Sequence, residues 1–253
     1  MDTSPDLAAA LAAAEAAARV IRELYAKNIA VQLKADKSPV TEADLRAERA
    51  IREVLLEHTP DYGFYGEEAG RFGSGQTLWL VDPIDGTKAF VREYPMFSTQ
   101  IALWREGRLA LGVSSAPLYG ELAYAERGAG AWLNGRRLAV SDIDTLEAAA
   151  LSAGNLRTLA AGPDWAKYGR VVQQVSRIRG YGDFLHYHLL AAGKIDAVVE
   201  SDVNILDIAA LVTIVEEAGG RFTALDGAPV NMDTTTVLAT NGRLHQPLLA
   251  ALA

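Results

Sequence analysis

Trp79-Leu80-Val81-Asp82-Pro83-Ile84-Asp85-Gly86-Thr87-Lys88 is the stretch in which an apolar run of this chain ends abruptly in acid. Two aspartates three apart are followed by glycine, threonine and lysine. The apolar part, with Leu78 before it, reads as a buried strand. Pro83 is expected to end its pairing, and Gly86-Thr87 offers backbone amides where a helix begins. Two hard oxygen ligands beside a phosphate cradle are the chemistry of a divalent metal holding a phosphoryl group. Asp82 stands out because a carboxylate at the mouth of a buried strand is expensive to leave unpaired.

The chain around this stretch has 253 residues, half of them apolar, enough to bury a core as one large domain or two closely packed halves. Its net charge of -8, from 24 basic and 32 acidic residues, and the lack of a basic block argue against a nucleic-acid or anionic-membrane partner. A small anion can still bind where metal ions reverse the local sign. Without cysteine there are no disulfides or thiolate metal sites, and a cytoplasmic location is compatible. The alanine-rich start carries Asp2 and Asp6, with Glu15, Arg19 and Arg22 breaking its apolar run, which is not the pattern of a signal peptide or membrane span.

Ser4-Pro5 reads as an N-cap and first helical residue, with Leu7, Leu11, Ala14, Ala18, Ile21 and Tyr25 following at helical spacing. Lys34 to Thr41 reads as a polar loop able to fold over a site. Thr41-Glu42-Ala43-Asp44 has capping-box spacing and opens a second helix. Gly63 to Gly70 reads as a strand end running into a turn that carries Glu67 and Glu68. From Phe97 to Val140, apolar runs at Ser98–Trp104, Leu109–Ser115, Glu121–Ala125, Ala131–Leu133 and Leu138–Val140 predict an antiparallel meander, with Asn134-Gly135 as a hairpin turn. Beyond it the pattern predicts strands at Leu146–Ala153, Ile195–Glu200, Phe222–Leu225 and Val237–Ala239. Helices are predicted at Asp164–Arg177, Asp183–Ala192, Leu206–Ala218 and from about His245. This alternation suggests helices on a second sheet, and the halves divide near residues 1–142 and 143–253.

The candidate metal ligands are Glu67, Asp82, Asp85 and Asp207, with the Ile84 carbonyl between the aspartates. Magnesium takes about six oxygens near ~2.1 Å and keeps several waters, so these suit a partial shell. Asp82 can be shared by two or three ions. Each acid also has a plainer reading. Asp44 and Asp207 can serve only as helix N-terminal acids, Glu67-Glu68 as solvated surface, and Asp85-Gly86 as a turn. The Thr87 hydroxyl can cap a helix and also link Asp44 to a water. His58 and His245 read as surface residues near helix ends. His186 and His188 lie two apart and do not share a helix face, so zinc is not expected.

The Asp82-Pro83-Ile84-Asp85-Gly86-Thr87 motif after Trp79-Leu80-Val81 resembles the inositol monophosphatase family. So do Gly66-Glu67-Glu68 upstream and Leu206-Asp207-Ile208-Ala209-Ala210 downstream. Ser38 to Asp44, Gly130 to Gly135 and Glu217 to Gly220 extend the likeness over nearly the whole chain. The resemblance implies one domain over residues 1–253 with a mixed α/β (α+β) fold, a layered αβαβα sandwich of two β-sheets, and a homodimer. It implies two to three Mg²⁺ ions per site. Glu67, Asp82 and the Ile84 carbonyl would hold the first ion; Asp82, Asp85 and Asp207 the second; and Glu67 would help a third. Asp44 and Thr87 would activate the attacking water, and the Gly86 and Thr87 amides would bind phosphate. One departure is Leu206, where the family usually has an aromatic residue.

Lys88, Pro95-Met96-Phe97 and Tyr181-Gly182-Asp183-Phe184 resemble the histidinol-phosphatase branch more than the inositol branch. Asp183 and Glu200, if both face the pocket, would suit the aminoimidazole cation of L-histidinol phosphate better than a neutral polyol. The inositol branch also has an acid at Glu200, and Asp183 can instead be a helix N-cap. The expected activity is therefore a Mg²⁺-dependent phosphomonoesterase on a small phosphate monoester, histidinol phosphate before inositol phosphate. Its rivals are a broad sugar or nucleotide phosphatase and a catalytically silent binding homologue. Hydrolysis of 3′-phosphoadenosine 5′-phosphate would call for a basic cluster, for which Arg157, Lys167, Arg177 and Arg179 are the candidates.

Overall fold

The computed structural model describes residues 3–27, 31–33, 39–73 and 76–252. The chain begins with α1 (Pro5–Leu24), β1 (Val31–Leu33), β2 (Pro39–Thr41), α2 (Glu42–His58), β3 (Gly63–Gly66), β4 (Gly70–Phe72), β5 (Thr77–Asp85) and α3 (Thr87–Val91). A meander follows, β6 (Ser98–Arg105), β7 (Arg108–Ala116), β8 (Glu121–Glu126), β9 (Gly130–Leu133) and β10 (Arg136–Arg137). The remainder runs β11 (Ala150–Gly154), α4 (Leu156–Ala161), α5 (Trp165–Gln174), β12 (Arg177–Arg179), α6 (Asp183–Ala191), β13 (Ala197–Ser201) and α7 (Ile205–Glu217). It closes with β14 (Arg221–Thr223), β15 (Thr236–Thr240) and α8 (His245–Leu252).

Beside a small β1-β2 pair, an eight-stranded sheet has the order β10-β9-β8-β7-β6-β5-β3-β4, and a five-stranded sheet the order β12-β11-β13-β15-β14. The strands sort their side chains by parity. On β5, Trp79, Val81 and Ile84 join the apolar cluster under α1 and α2, while Leu78 and Leu80 face the helices between the sheets. On β13, Val198 faces those same helices, whereas Ala197 and Val199 pack outward against α4, α5 and α8. The result is the αβαβα order: α1 and α2, the larger sheet, α6 and α7, the smaller sheet, then α4, α5 and α8.

α7 is apolar on nearly every side because a sheet covers it on each face. Its approach to β7 is close enough that a Cβ on Gly112 would collide with the Ala210 backbone. Leu206, at the position usually aromatic in the resembled family, is buried in the same core. Among the described residues, no helix is long and apolar enough to cross a membrane.

Pro83 does not end the pairing of β5. The ladder to β6 holds through Asp82 opposite Gln100, shifts register, and resumes with Asp85 opposite Ser98. The irregularity accommodates a residue with no N–H to give the ladder, and within it the Pro83 carbonyl accepts the Thr99 hydroxyl at 2.8 Å. It also redirects the acids, because residues three apart on a straight strand face opposite ways.

Other expectations need correction. Leu138 to Val140 is not a strand; the last hairpin closes at Arg136–Arg137. The strand expected from Leu146 begins as a 3-10 turn at Leu146–Ala148, and the helix expected to Arg177 stops at Gln174, giving way to edge strand β12. The short helix α4 was not foreseen. Within the loop expected over Lys34 to Thr41, Pro39–Thr41 is strand, and Lys34 to Ser38 lie outside the described residues. His245 is fully buried rather than superficial, its ring bridging the Thr223 and Thr240 hydroxyls at 3.1 Å each.

Replacing Gly112 with Val should lower unfolding free energy by about 1–3 kcal/mol in denaturant melts, since the α7 backbone must move. Burial, with Arg221 adding, pushes the His245 ring down from 6.5 to about 4. The unfolded chain thus takes the proton first, so stability should be full above pH 6.5 and fall as pH drops towards about 4. His245→Gln should flatten melting temperature against pH across that window.

Candidate active site

β3 and β5 run parallel, so their C-terminal ends lie side by side, and Glu67 follows β3 where Asp82 sits on β5. The Glu67 side chain hydrogen-bonds the Asp82 carboxyl. The irregularity in β5 turns Asp85 towards Asp82, and the N-terminus of α7 supplies Asp207. Carboxylate oxygens of Asp82, Asp85 and Asp207 all lie within 4.8 Å of one another. Asp82 is held well above the usual carboxylate range by burial first, then by Glu67, Asp85 and Asp207. Asp85 is raised likewise, by burial and then Asp183, Asp207, Glu200 and Glu67. Asp207 is pushed up to about 7, chiefly by burial, against hydrogen bonds from Asn204. A set of crowded hard oxygen donors fits a divalent cation, whose charge would relieve this repulsion.

Asp44 and Asp207 are both the third helical residue of a capping box, opposite Thr41 on α2 and Asn204 on α7. The plain helix-cap readings are therefore correct, and both residues still reach the site. Asp44 Oδ2 accepts from the Thr41 N–H and the Thr41 hydroxyl, each at 2.7 Å. Its Oδ1 is left for the Thr87 hydroxyl at 3.1 Å, which also lies 3.0 Å from the Ile84 carbonyl. Burial raises Asp44 above its ordinary value, with the Thr41 and Thr87 hydrogen bonds opposing and Glu67 adding to the rise. Ile84 is buried, and its N–H donates to Asp82 Oδ1 at 3.0 Å. Gly86 takes φ of 93°, and a Cβ there would lie 2.7 Å from the Met96 carbonyl oxygen, so glycine is what lets α3 turn away from β5.

Asp85, Asn155, Asp183, Tyr187, Glu200 and Asp207 line one pocket beside this cluster. Asp183 is not the N-cap of α6; Gly182 is, and Asp183 is the first helical residue, at a left-handed φ of 46°. Burial and Glu200 push Asp183 up to about 6, with His186 and Lys88 opposing. Arg157, Arg177 and Arg179 are exposed, Lys167 is paired with Asp164 at 2.8 Å, and none of these four lines that pocket.

Sequence reasoning missed Glu48. This buried side chain accepts the Glu68 and Ala69 backbone N–H groups, each at 2.8 Å, and so pins the turn that carries Glu67. A Cβ on Gly66 would collide with it, which explains the glycine. The only sequence signal was a glutamate on the apolar side of α2, one residue after Ala47.

The family model described as the inositol monophosphatase family matches residues 2–253, and the chain belongs to that family. It is 39% identical to a histidinol-phosphatase of Mycobacterium tuberculosis, over 98% of this chain and 97% of that one. It is 36% identical to an inositol-1-monophosphatase of Caulobacter vibrioides, over 84% and 86% respectively. The crystal structure of the extragenic suppressor protein suhB from Bartonella henselae superposes with a TM-score of 0.91 at 33% identity, covering 98% of each chain. The chain is thus a phosphoric monoester hydrolase, with an acidic cluster that could hold a metal.

Glu48→Ala should reduce kcat/KM by about 10- to 100-fold, as loss of a supporting hydrogen bond beside a metal site does, with circular dichroism unchanged. Near-normal turnover would show that the Glu67 turn holds without it.

Proposed function

We propose that the chain is a Mg²⁺-dependent phosphatase whose preferred substrate is L-histidinol phosphate. The observation that carries the substrate is the pocket wall: Asp183 and Glu200 stand beside Asp85 and Asp207, so a substrate with a cationic tail is favoured over a neutral polyol. The histidinol-phosphatases among the relatives support the same reading.

Glu67, Asp82 and the Ile84 carbonyl would hold one ion, and Asp82, Asp85 and Asp207 a second, with Glu67 also serving a third. When bound, Mg²⁺ would polarise the phosphoryl oxygens and acidify a water. The protein's own groups then complete a proton path. The Thr87 hydroxyl accepts a proton from the attacking water and passes its own to Asp44 Oδ1, 3.1 Å away. Thr41 occupies the other Asp44 oxygen, so the basic lone pairs point at Thr87. The Gly86 and Thr87 amides, at the start of α3, orient the phosphate for in-line attack. No covalent enzyme intermediate is required. The family resemblance also supports a homodimer; light scattering at the mass of one chain would overturn that.

Asp82→Asn and Asp85→Asn should each abolish most phosphate release while the fold persists; near-normal turnover in either would refute the ligand assignment. Thr87→Ala should lower kcat more than it raises KM. Phosphate release with Mg²⁺ should favour histidinol phosphate over inositol 1-phosphate, fructose 1,6-bisphosphate and 3′-phosphoadenosine 5′-phosphate. Equal rates on all four would indicate a broad phosphatase.

A further inference from the structure

Behind the pocket wall lies a buried polar chain that the proposed reaction does not use. Ser152 and His186 are fully buried, Tyr187 is 1% and Glu200 4% exposed. The Tyr181 N–H donates to Ser152 Oγ at 3.2 Å, and Ser152 Oγ lies 3.3 Å from His186 Nδ1. His186 Nε2 lies 3.1 Å from Glu200 Oε2, which also accepts the Tyr187 hydroxyl at 2.6 Å.

Donor counting sets the direction of this chain. Ser152 Oγ already accepts the Tyr181 N–H, so its own proton is free for His186 Nδ1. A histidine that accepts at Nδ1 carries its proton on Nε2, and that proton goes to Glu200. Both donors therefore fall on one oxygen, Oε2. Among the described residues nothing donates to Oε1. A Cβ on Gly154 would collide with that oxygen, so the bare glycine backbone makes its place. Glu200 is thereby held by one oxygen, and the residue lines the pocket.

We propose that His186, backed by Ser152 and assisted by Tyr187, is a positioning residue for substrate choice. It clamps Glu200 so that its carboxylate receives the cationic amine or imidazolium of the substrate. This rests on the proposed preference for an amino-alcohol phosphate, and extends it to His186 and Ser152, which do not line the pocket. Without the clamp, Glu200 can rotate within the pocket, and an ionic hydrogen bond that depends on angle is lost first. His188, two residues on, belongs to a different network through Glu121 and Ser114, so it provides an internal contrast.

The test measures kcat and KM for L-histidinol phosphate and p-nitrophenyl phosphate, and inhibition by free L-histidinol, in Mg²⁺-loaded wild type, His186→Ala, His186→Gln and Tyr187→Phe. His186→Ala should raise KM for histidinol phosphate about tenfold relative to p-nitrophenyl phosphate, roughly the worth of one charge-assisted hydrogen bond. The loss should fall in KM rather than kcat, and Ki for histidinol should rise in parallel. His186→Gln, whose amide can replace the Nε2 donor, should recover much of it. Tyr187→Phe removes the second donor with little change of volume and should shift the ratio in the same direction, which keeps the test open if His186→Ala does not fold. A ratio that stays at the wild-type value in both Tyr187→Phe and the folded His186 variants, or falls through kcat on both substrates, overturns the clamp alone. A wild type with no preference for the amino ester overturns the substrate reading as well.

Discussion

Repulsion among Asp82, Asp85 and Asp207, with Glu67 beside them, is the interaction to which the surrounding structure is fitted. Burial and mutual charge raise all three aspartates, so their gathering is held against its own electrostatics. Rigid elements supply the restraint. β5 is paired on both sides, α7 is locked between two sheets, and Glu48 pins the Glu67 turn from behind. A cation entering this cluster would meet oxygens already gathered, which lowers the ordering cost of binding.

The same economy governs the residues around the proposed water path. Asp44 and Asp207 are each a helix cap and a site residue, because a capping-box acid has two oxygens and sits where a helix begins. At Asp44 the cap uses Oδ2 and leaves Oδ1 pointing at Thr87. At Asp207 the Asn204 N–H and side-chain amide take one oxygen each, at 2.9 and 2.7 Å, while the carboxylate faces Asp82 and Asp85. Choosing between cap and site was therefore a false alternative, since the helix N-terminus favours a negative charge for either task.

The pocket is lined in part by Glu200, one of whose oxygens is tied into the core by His186 and Tyr187. It is built from the ends of several elements, β11, α6, β13 and α7, so its wall can vary while the neighbouring acids stay in place.

Much of this was legible along the chain. The apolar run into Asp82, the capping spacing at Thr41, the helix-start acid Asp207 and the meander after Phe97 are local patterns, and local patterns determine elements. What they could not reveal was anything set by long-range packing. The β5 irregularity that brings Asp82 and Asp85 together depends on pairing with β6, not on Pro83 by itself. His245 looks superficial at a helix start until β14 and β15 enclose it. Glu48 looks like any helical glutamate until the turn after β3 lands on it, and His186 meets Ser152 and Glu200 only where β11 and β13 lie alongside. Sequence determined which side chains could do chemistry and which segments would carry them. Tertiary structure decided which carboxylate oxygens meet donors from elsewhere in the chain, Thr87 at Asp44 and His186 and Tyr187 at Glu200, because those donors arrive on other strands and helices.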